Sequence, residues 1–367
     1  MSHRIFAGVV AAALAFAAPA SAATPFEGGW TLDAASSGLR FQSVKNETKV
    51  ETSSFATLQG AIDESGTATV TVFLDSVDTK VDLRNVRMRF LLFETYQFPE
   101  ARVTVEIDPA MLDDLPQVRR KVIEVDYTLD LHGLQKELQT EIAVTLLSDD
   151  MVSVASHAPI SIATSDFGMD LGVTKLEEAA SVEIIPSASV SFDFIFRRSG
   201  PAQEEPQVAA ATRGQPSGAV VTPVAAAASP AAQPASLALE AEGNFSPEAC
   251  IGRFEVMSEA NDIYFAVGSA RLQAKSRPFL DSIVAIVERC PGMNLEVAGH
   301  TDSDGSAAKN QTLSENRAAS VRRYFTDSGI APERILTVGY GETRPAFPNN
   351  TKRNKWRNRR IEFTALQ

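Results

Sequence analysis

The stretch from 199 to 245 constrains this chain more than any other, because nothing in it can build a core. It opens Ser199-Gly200-Pro201-Ala202 and continues as alanine-rich runs broken by Pro206, Pro216, Pro223, Pro230 and Pro234. Side chains this small bury too little apolar surface to offset the entropy lost on ordering. Prolines spaced in this way favour an extended spacer. A flexible linker is therefore expected over 199–245, separating a domain at 24–198 from a second at 246–367. Ahead of the first domain, Arg4 precedes an apolar run over 5–18, and Pro19-Ala20-Ser21-Ala22 places small residues at a cleavage position. That pattern predicts a signal peptide over 1–22 and export to the periplasm. The apolar run is shorter than the roughly 20 residues a membrane-spanning helix needs.

Charge and cysteine content narrow the partners. A formal net charge of −12 argues against nucleic acid, whose phosphates would be repelled. Cys250 and Cys290 are the only cysteines. In an oxidising compartment they are a candidate disulfide, with two buried thiols as the alternative. Their spacing fits neither a zinc motif nor a redox Cys-x-x-Cys, so neither a metal nor a cofactor is expected. No Gly-x-Ser-x-Gly elbow, His-Glu-x-x-His pair or phosphate loop occurs, and adjacent acids such as Asp149-Asp150 and Glu177-Glu178 suit solvated turns. These observations predict a binding protein and no enzyme.

The two domains carry different periodicities. In the first, apolar residues alternate over 67–75 (Val70, Val72, Leu74), 103–107, 122–131, 142–144 and 190–196. A period of two over short runs predicts antiparallel β structure closed as a barrel or sandwich, which buries one face and protects the edges. In the second, 263–267 and 295–298 read as strands. Phe279, Leu280, Ile283, Val284 and Val287 then recur at helical spacing, as do Leu313, Ala318, Val321 and Phe325. Strands at 335–338 and 360–364 complete an α/β alternation.

The second domain also carries specific motifs. Gly299-His300-Thr301-Asp302, Asn310, Leu313-Ser314, Arg317-Ala318, Gly339-x-Gly341 and Asn358-Arg359-Arg360 follow one another in a fixed order. In type and spacing this region resembles the OmpA-like peptidoglycan-binding domain, an α/β (α+β) sandwich. The resemblance implies binding to the diaminopimelate residue of the peptidoglycan stem. Asp302 and Arg317 would be the principal ligands, with Asn310 and Thr301 alongside and Arg359 near the ligand's carboxylates. The chemistry is consistent with the implied ligand. Uncrosslinked diaminopimelate ends in an ammonium and a carboxylate on one carbon, so a carboxylate and a planar guanidinium fork match it. His300 has no second histidine nearby in sequence and reads as a hydrogen-bonded structural residue.

Residues 24–198 resemble the YceI-like family, a lipocalin-like antiparallel barrel. The resemblance rests on Trp30-Thr31-Leu32-Asp33, Asp75-Ser76-Val77-Asp78-Thr79, Arg84-Asn85, Phe98-Pro99 and Asp166-Phe167-Gly168. It implies a polyisoprenoid or another amphiphile inside the barrel, with Phe41, Phe55, Phe73, Phe90 and Phe93 as candidate lining. Two departures bear on inherited contacts: Asn85 stands where the family has Asp, and Lys45-Asn46 where it has Lys-His. The alternative is an outer-membrane protein whose N-terminal domain is a transmembrane barrel. Such a barrel needs strands of about 9–11 residues and aromatic girdles. With two Trp and five Tyr in the whole chain, the non-membrane barrel is the preferred expectation.

Overall fold

The computed structural model describes residues 25–199 and 243–366. The expected signal peptide and all but the ends of the expected linker lie outside the described residues. The first domain contains β1 (Trp30–Leu32), β2 (Gly38–Lys45), β3 (Lys49–Phe55), β4 (Leu58–Ile62), β5 (Thr67–Phe73) and β6 (Val77–Asp78). A helical segment follows, made of α1 (Asp82–Arg87) and a π-turn at Met88–Leu92. Then come β7 (Glu100–Glu106), α2 (Leu115–Val118), β8 (Arg120–Leu131), β9 (Leu134–Ser148), β10 (Met151–Ser156), β11 (Ile160–Ala163), α3 (Asp170–Ala180) and β12 (Ile184–Arg198).

All pairings here are antiparallel. The order β1-β4-β5-β7-β8-β9-β10-β12 closes on itself because β12 also pairs with β1, giving an eight-stranded barrel. β12 is long enough to hold β2 and β11 along its first half and β10 and β1 along its second.

The two-residue period decides which side chains enter this barrel. On β8, Ile123, Val125, Tyr127 and Leu129 point inward and are buried, while Arg120, Glu124 and Asp126 are exposed. On β9, Gln135, Glu137, Gln139 and Glu141 form the outer face. A barrel in lipid needs the reverse, an apolar band outside. The charged outer face of β8 and β9 runs against that requirement.

The second domain begins with α4 (Pro247–Ala260) and α5 (Arg277–Glu288), followed by β13 (Asn294–His300), α6 (Ala307–Asp327), β14 (Ile335–Gly341), α7 (Lys352–Asn358) and β15 (Ile361–Leu366). Its sheet has the order β14-β13-β15, parallel on one side of β13 and antiparallel on the other. The strand expected over 263–267 reduces to a single bridge between Phe265 and Leu272. The backbone there turns on itself: Ala266 N donates to Arg271 O (2.9 Å) and Gln273 N to Tyr264 O (2.9 Å). Cys250 and Cys290 are joined as a disulfide that ties the first turn of α4 to the end of α5.

The two domains are packed together, and their buried apolar residues form one continuous cluster. α4 lies against α1, the π-turn and α3, and Tyr96 of the barrel packs on Phe279 of α5 with ring centroids 5.1 Å apart. The ends of the expected linker join their domains: Ser199 N donates to Gly29 O (2.9 Å), and Phe245 sits between the Arg253 and Arg289 guanidiniums (3.9 and 3.8 Å).

Candidate functional sites

β13, the central strand, delivers its last residues to one end of the sheet. Gly299 permits this, because a Cβ there would stand 2.2 Å from the Ser314 carbonyl oxygen on α6. Past the strand, Thr301 N donates to Gly341 O (2.9 Å), and the chain turns at Asp302, whose Oδ1 accepts from Asp304 N (3.0 Å). The other Asp302 oxygen accepts from the Arg359 guanidinium. Asn310, in the first turn of α6, staples this loop. Its amide donates to Asp302 O (3.2 Å), Asp304 O (3.1 Å) and the Glu342 carboxylate (2.5 Å).

Arg317, two turns further along α6, reaches the same place from below. Its Nε donates to Ser269 O (3.1 Å), and its guanidinium lies over the Phe265 ring at 5.0 Å. Among the described residues its terminal nitrogens have no protein acceptor, which leaves a planar fork for a ligand. Burial lowers the Arg317 pKa, the Arg359 cation lowers it further, and Asp302 opposes both. The cleft therefore sets the Asp302 carboxylate beside two guanidiniums. Thr301 is buried beside them, and its hydroxyl has no hydrogen-bond partner among the described residues.

All five residues expected here (Asp302, Arg317, Asn310, Thr301 and Arg359) lie in this region. Glu342, which holds Asn310, and Phe265, which supports Arg317, were not among the expected site residues. Glu342 directly follows the Gly339-x-Gly341 motif, and that adjacency was the available signal. His300 is buried and shares its Nε2 with Glu362 (3.1 Å). That hydrogen bond and the nearby Arg360 hold Glu362 down to about 2.

The barrel interior encloses a cavity of about 240 Å³. Its wall is almost wholly apolar, and Phe41, Phe55 and Phe93 meet in it, with Phe93 5.8 Å from Phe55 and 6.5 Å from Phe41. Phe73 and Phe90, also expected in the lining, are not there. Phe73 is one residue out of phase with Val70 and Val72 and so faces outward. Phe90 stacks on Tyr96 (6.1 Å), on the side facing the second domain. The two departures from the family pattern have local partners. Asn85 Oδ1 accepts from Thr79 N (2.8 Å) and Thr79 Oγ1 (2.6 Å), while Asn46 Oδ1 accepts from Glu183 N (3.1 Å).

An eight-stranded barrel with an apolar interior thus precedes an α/β domain with a charged cleft at one strand end. The chain carries a YceI-like domain over residues 30–194 and an OmpA-family domain over residues 264–359. It is 38% identical over 104 residues to outer membrane porin F of Pseudomonas fluorescens, covering 28% of this chain and 32% of that one. It is 38% identical over 105 residues to outer membrane protein A of Bordetella avium, covering 29% and 54%. The matched stretch thus spans a third to a half of these relatives. A solved polyisoprenoid binding domain from Saccharophagus degradans is 34% identical, covering 46% of this chain and 98% of its own, with a TM-score of 0.43.

Proposed function

We propose that this is a non-catalytic protein of the cell envelope, resident in the periplasm. Its second domain holds peptidoglycan non-covalently through diaminopimelate, and its barrel takes up a polyisoprenoid or another amphiphile. The observation that carries the first half is the meeting of Asp302 with Arg317 and Arg359 at one strand end. The ligand's ammonium would share Asp302 with Arg359, and its carboxylate would lie in the Arg317 fork, anchored by charge-assisted hydrogen bonds. The apolar cavity supports the second half. An apolar cavity of roughly 150 Å³ stays dry and admits benzene, and this one is larger.

The test is co-sedimentation of the protein with purified sacculi, comparing wild type with Arg317→Ala. Wild type should pellet and the folded variant should not. A wild type that stays in the supernatant overturns the wall anchor.

A further inference from the structure

The segment Met88 to Phe98 belongs to both domains at once. On its inner side Leu92 and Phe93 form part of the cavity wall. At Glu94 the backbone enters the left-handed region (φ 47°), which turns the next residues away from the barrel. Tyr96 stacks on Phe90, packs on Phe279 of the second domain, and donates its hydroxyl to Asp262. Beside it, the buried Lys175 of α3 donates to Ala260 O (2.8 Å) and lies 3.5 Å from Asp262 and 3.9 Å from Glu94. Burial raises the Asp262 pKa, and Lys175 and the Tyr96 hydroxyl pull it back.

This cap has little slack. A Cβ on Gly172 of α3 would stand 2.6 Å from Leu91 O and 3.0 Å from Leu92 Cα, so α3 and the π-turn move together or not at all. Both lie under α4. Two turns back along α4 from Ala260, Arg253 makes two hydrogen bonds to Asp82 at the start of α1 (3.0 and 3.1 Å).

The cavity volume gives this arrangement a consequence. Sites for sizeable ligands run from about 300 to 1,000 Å³, and this cavity is about 240 Å³. A long chain needs more room, and a closed ring of hydrogen-bonded strands cannot dilate without breaking its ladders. The room has to come from the cap, whose outer residues are held by the second domain.

We propose that the C-terminal domain latches the cap of the barrel, so that uptake of a long apolar chain and separation of the two domains are one equilibrium. This rests on the amphiphile reading given above. By linkage, whatever holds the domains together weakens chain binding, and a bound chain loosens the domain contact by the same factor.

Gly252 offers a clean lever, because a Cβ on it would lie 3.1 Å from Leu83 Cδ1 across the interface. Gly252→Leu wedges the domains apart without touching the cavity or the charged cleft. Asp82→Lys does so by charge reversal at a side chain that is 60% exposed, which guards against a wedge that fails to fold.

The experiment titrates the full chain and both variants with cis-parinaric acid, a long fluorescent chain. Small-angle scattering is recorded with and without the probe. Both variants should bind at least about tenfold tighter, and saturating probe should expand the wild type to the dimensions of the variants. Wild type that saturates without expanding, or equal affinity in variants that have separated, overturns the latch and leaves the amphiphile reading standing. Failure of the probe to bind any form, separated variants included, overturns both.

Discussion

Arg359 caps the carboxylate of Asp302 from the solvent side. The Asp302 side chain is 8% exposed and that of Arg359 is 42% exposed. A buried acid thus meets a cation that a ligand can displace or share, whereas Arg317 is held from beneath by Phe265 and Ser269. Asp302→Asn keeps the shape of the turn and removes the charge. It should weaken binding of diaminopimelate-containing stem fragments by about 1.5–3 kcal/mol, the range for a hydrogen bond to a charged group. Calorimetric titration with a purified stem peptide reads this directly. An unchanged affinity would place the binding site elsewhere.

Gly299 shares a motif with Thr301 and Asp302, and Gly339 opens another of the family motifs, yet the structure gives both a packing role. α6 crosses β13 and β14 so closely that a Cβ on Gly299 would meet the Ser314 backbone at 2.2 Å, and one on Gly339 would meet Glu315 N at 2.5 Å. Backbone cannot step aside as a flexible side chain can. Gly299→Ala should therefore cost at least the upper end of the roughly 1–3 kcal/mol typical of overpacking. Thermal unfolding monitored by circular dichroism checks this, and a variant as stable as wild type would refute the close approach.

What was legible in the sequence followed the local rules. The barrel declared itself through two-residue alternation, and the cleft through a strand ending at Asp302 with a helix carrying Arg317 behind it. The misses have physical causes. Alternation over 263–267 looks like a strand, but those backbone groups are taken by Ser276 and by the turn at 266–271. The family resemblance makes Phe90 a candidate lining residue along with Phe93, and the π-turn sends the two rings to opposite sides. The docking of the domains left no local trace, since Asp82 and Arg253 meet across 171 residues of sequence.

The disulfide should stabilise the second domain and, through α4, its contact with the barrel. Closing a loop with a sequence separation of 40 is worth about 4 kcal/mol by the chain-entropy relation. Both cysteines are buried, so reduction requires opening. Replacing both with Ala should cost about 2–4 kcal/mol and lower the thermal midpoint of the second domain. An unchanged midpoint would show that the packing of α4 and α5 alone sets the stability.

Acid should weaken the bond between β13 and β15. Glu362 titrates at about 2 in the folded protein against 4.5 in its absence, because of its hydrogen bond from His300 and the nearby Arg360. A depressed acid stabilises the fold above its unfolded value, so this contribution is complete above about pH 4.5 and is lost as the pH falls toward 2. Glu362→Gln should lower the thermal midpoint near neutral pH, and the gap to wild type should close on acidification. A gap that stays constant across this window would mean that the carboxylate contributes nothing through its charge.

Filling the barrel separates its stability from its capacity. Ala101 faces the cavity and is buried, and a larger side chain there would point into empty apolar space. Where room exists, added carbons bury surface at roughly 25 cal/mol per Å² without strain. In a packed core the same change costs about 1–3 kcal/mol. Ala101→Phe should therefore leave the thermal midpoint unchanged or raised while abolishing uptake of cis-parinaric acid, with sacculus binding intact. A destabilised variant would show that the interior is already full, and a stable variant that still takes up the probe would put the apolar site outside the barrel.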